Sequence, residues 1–298
     1  MIFIAEIGLN HNGNFNACHE MIKLAKKSGA DIAKFQLGWK SLPNEINFLD
    51  LERIKTLKKW TEEFEIELMF SIFNKESLEM VKELNLDKYK IASRTVVGDL
   101  DLVKEIVNLK KKTFISLGMW EKDYLPIIHN ENIDYLWCRS KYPTELNDLK
   151  NFPKDFKNSN YVGYSDHTIG SHCAIAAIAL GAKLIEKHIC HDEIETVDSF
   201  FSMNPENFKQ MIIEIRQVEK AIGSISYDVS NSAKQSLNGR RSLYISKEIK
   251  KGEQLSIDNI KCIRPAHGLA PKYYELVLGK KVLKDLYPGD RLSLDLIE

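Results

Sequence analysis

The strongest constraint on the fold is an alternation of short apolar runs with longer amphipathic stretches up to about residue 222. Eight runs read as strands: residues 2–7, 32–37, 68–73, 88–92, 113–117, 135–138, 161–164 and 184–188. Helical periodicity separates most of them and returns at the end, at 15–28, 49–64, 75–84, 99–109, 169–180 and 205–222. Only a weak segment, 144–149, follows the sixth run. The pattern predicts a closed (β/α)8 TIM barrel, with an open α/β sheet as the alternative.

The character of the chain changes after residue 222. Residues 223–238 are rich in Ser, Asn, Asp and Gln and lose periodicity, which predicts a linker after a barrel domain of residues 1–222. Further short strand candidates then alternate with turn signals, at 242–249, 254–255, 261–263, 280–282 and 291–296. We therefore predict a small, mostly β domain over residues 239–298. It is too short for an independent enzyme and suits a lid or a dimerisation element.

Composition narrows the classes of function. Lys and Arg total 42, as do Asp and Glu, so the zero net charge gives no indication of a nucleic-acid or acidic-membrane partner. No Gly-x-Gly-x-x-Gly follows a strand, which weakens a dinucleotide-binding interpretation. The five cysteines form no Cys-x-x-Cys pair, and the chain shows neither a signal-peptide pattern nor an apolar run long enough for a bilayer. We therefore expect a cytoplasmic protein without a disulfide framework.

Polar side chains lie at the C-terminal ends of nearly all the predicted strands, which is where barrel enzymes place their chemistry. They are Glu6, Asn10, His11, Lys34, Gln36, Ser71, Asn74, Lys90, Ser93, Ser116, Arg139, Tyr142, Ser165, His167, Glu186 and His188. Any one of them could be a capping residue or part of a rim salt bridge. The whole set is harder to explain that way, because a charged group on a buried strand needs a partner. Lysines beside small hydroxyls suit an anionic substrate such as a phosphate.

Two of these residues, His167 and His188, end neighbouring strands in the strings Gly-Tyr-Ser-Asp-His and Ile-Glu-Lys-His. Two neutral imidazoles with water and oxygen ligands suit a divalent ion such as Mn²⁺ or Zn²⁺. Hydrogen-bonded rim histidines without a metal are the alternative. Asp198 follows His188 by about ten residues. It is a candidate general acid or base, or a ligand for a substrate hydroxyl, and a loop-capping aspartate is equally compatible with the spacing.

Several of these strings together resemble the sialic acid synthase family, which condenses phosphoenolpyruvate with amino sugars to make nonulosonic acids. The barrel strings are at residues 4–13, 29–36, 89–93, 163–170 and 185–188. The last part of the chain resembles that family's antifreeze-like SAF domain, of β-clip type, at residues 240–244, 263–271 and 278–281. The resemblance covers essentially the whole chain in the same order, and the pairing of Ser-Asp-His with Glu-Lys-His is its specific element.

The resemblance implies a role for each matching residue. His167 and His188 would bind a divalent metal, Mn²⁺ first and Mg²⁺ or Co²⁺ as alternatives, which would polarise the aldehyde of an open-chain N-acylhexosamine. Phosphoenolpyruvate would be held by Lys34, Lys90, Ser93 and Ser165. The catalytic residues would be Glu6, His167, His188 and Asp198. The sugar would contact Gln36, Tyr142 and Asp198, and Asn74 would be a further substrate-binding residue. In a domain-swapped homodimer, Arg264 of the partner's small domain would grip the acyl group.

Three positions depart from the family pattern. After the fourth strand the family reads Ser-Gly-Glu or Ser-Phe-Glu, whereas residues 93–95 here read Ser-Arg-Thr, so Thr95 replaces a glutamate. Ser140 stands where an asparagine is expected near the phosphate, and residues 71–73 replace a Ser-Thr-Pro string. These changes remove a carboxylate and add positive charge, and they leave the identity of the sugar undetermined. The alternatives are another metal-assisted barrel enzyme, such as an aldolase or hydrolase, and a non-catalytic binding protein that keeps the fold.

Overall fold

Residues 1–223 and 230–298 are described by the structure, a computed structural model. The chain divides into two compact units, Met1–Gly223 and Ser224–Glu298. Part of the predicted linker, residues 224–229, lies outside the described residues. The remainder is a short helix, α8 (Asn231–Ser236), followed by a 3₁₀ turn at Leu237–Gly239. In the described residues, no helix is long and apolar enough to span a membrane.

Eight parallel strands of the first unit close into a barrel, in which each strand pairs with the next along the chain and the last pairs with the first. They are β1 (Ile2–Gly8), β2 (Ile32–Leu37), β3 (Glu67–Ile72), β4 (Lys88–Ile91), β5 (Lys112–Ser116), β6 (Ile133–Cys138), β7 (Tyr161–Asp166) and β8 (Leu184–His188). The predicted TIM barrel is confirmed, and the open-sheet alternative is wrong.

Helices cover the outside of the barrel. They are α1 (Phe15–Lys27), α2 (Leu51–Glu63), α3 (Lys75–Leu84), α4 (Ser93–Gly98), α5 (Leu100–Val107), α6 (His172–Ala179) and α7 (Pro205–Ala221). Five of them begin after an Asn or Asp whose side chain accepts a first-turn N–H: Asn14, Asp50, Asn74, Asp99 and Asn204. The weak segment after the sixth strand is a 3₁₀ turn, Leu146–Leu149. The predictions omitted α4, whose three β-branched residues lower its helix propensity.

Two layers of inward-facing side chains fill the barrel. The lower layer is apolar and consists of Ile4, Ile32, Met69, Phe114, Leu136 and Leu184. Side chains of a strand return to the same face every second residue. The next inward positions therefore form a polar layer above the first, made by Glu6, Lys34, Ser71, Ser116, Cys138 and Glu186. Apolar packing below thus fixes the height at which the polar groups stand, at the C-terminal end of the barrel.

The second unit has its own apolar core. Two antiparallel strands, β9 (Ser242–Ile245) and β10 (Ile260–Ile263), pair with each other. The predicted strands at 254–255, 280–282 and 291–296 appear as isolated bridges, and the last of them ends in a 3₁₀ turn, Leu294–Leu296. A short helix, α9 (Tyr274–Val277), contributes Val277 to the core. The remaining core residues are Leu243, Ile245, Ile249, Leu255, Ile260, Val282, Leu286 and Leu292.

Candidate active site

A cavity of about 270 Å³ opens among the C-terminal ends of the barrel strands. Most of the site residues predicted in the barrel line it: Glu6, Lys34, Gln36, Lys90, Ser93, Tyr142, Ser165, His167, His188 and Asp198. Strand-end residues that the sequence indicated without a role also line it, namely Ser71, Ser116 and Glu186. The barrel therefore brings residues that are distant in sequence into one concave site.

Lys34 is the centre of a buried charge cluster. Its Nζ lies 2.6 Å from Glu6 Oε2 and 3.6 Å from Glu186 Oε2. It also donates to Ser71 Oγ at 2.9 Å. Burial alone would lower the pKa of Lys34, but the two carboxylates outweigh it and the pKa is raised. For Glu6 burial is the largest influence and raises the pKa, and the nearby Lys34 only partly offsets it.

Lys90 is a second buried ammonium group, and among the described residues it has no carboxylate within salt-bridge distance. Its Nζ donates to Ser116 Oγ at 2.8 Å and to the Ile91 carbonyl at 3.1 Å. Burial lowers the pKa of Lys90, although Glu186 opposes the shift. A buried cation held only by neutral acceptors is costly unless an anion completes it. The cavity therefore has a place for an anionic group beside Lys90.

The two predicted metal-binding histidines lie side by side, with ring centroids 5.5 Å apart. His167 Nδ1 lies 2.8 Å from the Arg139 carbonyl, an acceptor that requires the proton on Nδ1 and leaves the Nε2 lone pair free. His188 Nδ1 is buried and has no hydrogen-bond partner in the described structure. A buried ring nitrogen without a partner is a position that a ligand would satisfy.

The pKa values of the two histidines are shifted in opposite directions. Burial, followed by His167, lowers the pKa of His188 well below its usual value and keeps that ring neutral. Burial acts in the same direction on the pKa of His167, but Cys138 and the Arg139 carbonyl reverse the shift. Within the described residues, no group of three or more His, Cys, Asp or Glu side chains could hold a metal ion. The pair thus fits an ion that takes its other ligands from water or substrate.

Tyr142 and Asp198 line the cavity beside the histidines, and the buried Phe201 packs against Tyr142 and His188. The Tyr142 ring lies 4.3 Å from the His167 ring and 5.6 Å from that of Phe201, between ring centroids. Asp198 Oδ2 lies 3.8 Å from His188 Nδ1, and burial raises the pKa of Asp198. This end offers a hydroxyl, a carboxylate and aromatic surface, which together suit a polyhydroxylated substrate.

Behind the histidines, Asp166 and Lys187 form a buried ion pair on the outer face of β7 and β8. The two residues are direct Cα partners across the strands, and Lys187 Nζ lies 2.8 Å from Asp166 Oδ2. Asp166 Oδ1 also accepts hydrogen bonds from the backbone N–H and the hydroxyl of Thr168. The same register aligns Ser165 with Glu186, whose side chains are hydrogen-bonded at 2.8 Å. Asp166 and Lys187, which directly precede the two histidines in sequence, thus stabilise the strand pair that carries His188.

Comparison with known proteins agrees with this arrangement. The model for the NeuB family matches residues 41–227, and the model for the SAF domain matches residues 240–298. The chain belongs to the NeuB family. Pseudaminic acid synthase of Campylobacter jejuni is 37% identical over 98% of this chain and 95% of its own length. N,N'-diacetyllegionaminic acid synthase of the same species is 34% identical over 98% of each protein.

A solved structure shares the fold of the NeuB chain described here. The N-acetylneuraminic acid (sialic acid) synthetase of Leptospira borgpetersenii superposes with a TM-score of 0.65 at 23% identity, over 80% of this chain and 90% of that one. The predicted family, the SAF domain and the reaction class, a phosphoenolpyruvate-dependent synthase of nonulosonic acids, are confirmed. Synthases of the NeuB family generally depend on a metal ion.

Two predicted site residues remain, one in the barrel and one in the second unit. The Asn74 side chain accepts from the Ser77 N–H at the start of α3 and donates to the Gly38 carbonyl at 3.2 Å, and among the described residues it is not part of the lining. Arg264 is an exposed residue of the second unit. The roles predicted for both from the NeuB family resemblance stay predictions.

Thr95 and Arg94, which depart from the NeuB pattern, occupy different places in the structure. Thr95 is buried, and its hydroxyl donates to the Ile72 carbonyl at 3.4 Å. Arg94 lines the cavity, with its guanidinium 4.5 Å from the centre of the Trp39 ring. Trp39, Met119 and Cys138 are lining residues that sequence reasoning missed. For Cys138 a signal existed, because it lies two residues beyond the inward-facing Leu136 on β6.

Proposed function

We propose that the cavity joins phosphoenolpyruvate to the aldehyde of an N-acylated mannosamine-like or 6-deoxyhexose sugar, giving a nonulosonic acid and phosphate. The observation that best supports this is the buried Lys90, which has no carboxylate partner among the described residues, in the same cavity as two adjacent imidazoles. A phosphorylated enol needs buried cations, and an aldehyde needs an electrophilic activator on the other side. The two ends of the cavity supply these two requirements.

Phosphoenolpyruvate would bind at the polar layer of the barrel. Lys90, which has no carboxylate within salt-bridge distance among the described residues, would bind its phosphate, and Ser93 and Ser165 would supply hydroxyls from neighbouring parts of the lining. Lys34 would contact the substrate carboxylate while it stays paired with Glu6 and Glu186. Cations fixed in a site of low dielectric bind anions more strongly than exposed lysines do, because the charges are poorly screened.

His167 and His188 would hold a divalent ion, for which we propose Mn²⁺. When bound, the ion supplies Lewis-acid polarisation of the sugar aldehyde. The hydrogen bond to the Arg139 carbonyl fixes the tautomer of His167, so that its Nε2 lone pair is free. Burial keeps His188 neutral, and the partnerless Nδ1 leaves that ring without a competing hydrogen bond among the described residues.

The reaction makes one carbon–carbon bond and one carbon–oxygen bond, and it breaks one carbon–oxygen bond. The enol carbon of phosphoenolpyruvate attacks the aldehyde carbon, and water adds to the carbon that carries the phosphate group. The bond from this carbon to the phosphate oxygen then breaks, which releases phosphate and leaves a ketone, while the two protons of the water pass to the former aldehyde oxygen and to phosphate. The walls of the cavity hold the two reactants in contact, which removes much of the entropic barrier. Glu6, whose pKa burial raises, lies beside Lys34 at the polar layer and is our candidate for handling a proton there.

The sugar would lie over the histidine end, against Gln36, Tyr142 and Asp198. The names of the two Campylobacter relatives support a pseudaminic- or legionaminic-type precursor ahead of N-acetylmannosamine. We further propose a domain-swapped homodimer in which the partner copy supplies Arg264, an exposed cation of the second unit. We also propose a substrate-binding role for Asn74, which rests on the resemblance, and a cytoplasmic location, which rests on the cysteine usage and the sequence pattern.

A panel of sugars tests this proposal. The purified chain, with Mn²⁺ and phosphoenolpyruvate, is incubated with N-acetylmannosamine and with N-acylated 6-deoxy sugars of both precursor types. Phosphate release and product mass are measured. We expect phosphate release with at least one sugar. The product should have a mass equal to that of the sugar plus pyruvic acid, which is phosphoenolpyruvate plus water minus phosphoric acid. Unchanged phosphoenolpyruvate with every sugar would contradict the proposal.

Lys90→Met separates the phosphate-binding role from stability. Removing a charged hydrogen-bond donor costs about 1.5–3 kcal/mol of binding, so we expect the KM for phosphoenolpyruvate to rise roughly 10–100-fold. The free energy of unfolding should hold or increase, because Lys90 has no carboxylate partner among the described residues. Lys88→Met is the matched control. Lys88 lies on the same strand and pairs with Glu67 at 2.6 Å. Equal effects of the two variants on this KM would count against the role of Lys90.

A further inference from the structure

The side chain of Asn10 lies fully buried in the turn after β1, and its hydrogen bonds in the described structure go to one distant segment. Its Nδ2 donates to the Ile189 carbonyl at 2.8 Å and to Ser202 Oγ at 2.9 Å. Its Oδ1 accepts from Thr196 Oγ1 at 2.5 Å. An asparagine amide has two N–H donors and one carbonyl oxygen, so both ends of this group are engaged.

Two of these partners also hold the backbone of Asp198. Thr196 Oγ1 accepts from the Asp198 N–H at 3.3 Å. Ser202 Oγ donates to the Asp198 carbonyl at 2.6 Å. Asn10 is therefore bonded to the residues that fix Asp198 from both sides. One buried amide thus connects the turn after β1 with the loop after β8.

In the loop after β8, an apolar side chain is buried on the C-terminal side of Asp198, whereas the apolar side chain on its N-terminal side is exposed. Phe201 is buried, and its ring centroid lies 4.9 Å from that of His188. On the other side Val197 is 77% exposed, so packing contributes little there. The bond from Thr196 to Asn10 is thus an important restraint on the N-terminal side of Asp198.

We propose that Asn10 is a positioning residue that sets the place of the Asp198 carboxylate at the sugar end of the cavity. The inference rests on the proposed contact between Asp198 and the sugar. Neither end of the amide is replaceable by a simple substitution. Alanine removes every bond, and aspartate removes the two N–H donors. The phosphoenolpyruvate end, which is built on strands, does not depend on these bonds.

Amide hydrogen exchange tests the positioning without any substrate. In Asn10→Ala we expect faster exchange over residues 196–203 and unchanged exchange over β2 (Ile32–Leu37). Asn14→Ala is the matched control from the same turn region, since its side chain caps α1 through the N–H groups of Asn16 and Ala17. It should lose stability without affecting residues 196–203. Unchanged exchange at 196–203 in Asn10→Ala overturns the inference, whether or not the chain is active on any sugar.

Kinetics then tests whether the effect passes through Asp198. Misplacement of a substrate contact by about 1 Å can cost roughly 100-fold. We therefore expect Asn10→Ala to lower kcat/KM for the sugar by about that factor and to leave the KM for phosphoenolpyruvate within about 3-fold of wild type. On an Asp198→Ala background the same substitution should have little further effect, because coupled residues are not additive. Additive losses would overturn the positioning role. Loosening of 196–203 in a chain that is inactive on all sugars would instead reject only the proposed function.

Discussion

His188→Ala is expected to abolish tight Mn²⁺ binding and to lower the rate of phosphate release by about 10³-fold. A Lewis-acid metal contributes several kcal/mol to such a reaction, and about 4 kcal/mol corresponds to that loss. His188 Nδ1 has no hydrogen-bond partner within the described chain, and burial holds the ring neutral. The fold should survive, because the substitution removes a ring that lines a cavity and not a member of the apolar layers.

The measurement is Mn²⁺ titration of the wild type and the variant, with phosphate release assayed in parallel. His172→Ala is the control, since His172 is an exposed residue of α6. It should bind Mn²⁺ and release phosphate as the wild type does. If His188→Ala binds Mn²⁺ as tightly as the wild type does, the histidine pair is not the metal site.

Lys187→Met is expected to cost about 3–5 kcal/mol of unfolding free energy, because it leaves the Asp166 carboxylate buried and unpaired. Both side chains of the pair are almost completely buried, at 1% and 0% exposure. In the double variant Asp166→Asn/Lys187→Met, no charge is left behind, and the Asn oxygen still accepts from Thr168. Most of the lost stability should therefore return.

Urea unfolding monitored by circular dichroism measures these differences. Lys183→Met, just before β8 at an exposed position, is the control and should stay within about 0.5 kcal/mol of wild type. A double variant as unstable as Lys187→Met alone would mean that the uncompensated charge is not the cause. A harmless single variant would mean that the pair contributes little to the barrel.

The barrel and its polar layer could be predicted because both follow from local periodicity. An inward-facing position recurs every second residue of a strand, so the sequence alone marks Glu6, Lys34 and Lys90 as polar groups on buried strands. The family resemblance then supplied their roles. Bounds of the strands were also close, since turn residues end most of them.

Contacts between distant loops could not be predicted in the same way. The hydrogen bond between the side chains of Asn10 and Thr196 joins residues 186 positions apart, and no local sequence pattern predicts it. The protonation of His167 depends on a carbonyl of the preceding strand end, which only the folded backbone brings within reach. Helix α4 was missed because its β-branched residues favour extended backbone over helix.

The apolar layer beneath the polar one has a consequence for how such an enzyme can diversify. In the proposed arrangement, phosphoenolpyruvate would be bound by side chains on strands whose height that layer sets, while the sugar would face Tyr142, Asp198 and other loop residues. Exchange of a loop therefore leaves the strand framework intact. Under that arrangement, substitutions at the rim alone would suffice to change which sugar is accepted, while the strand-borne half of the site stays as it is.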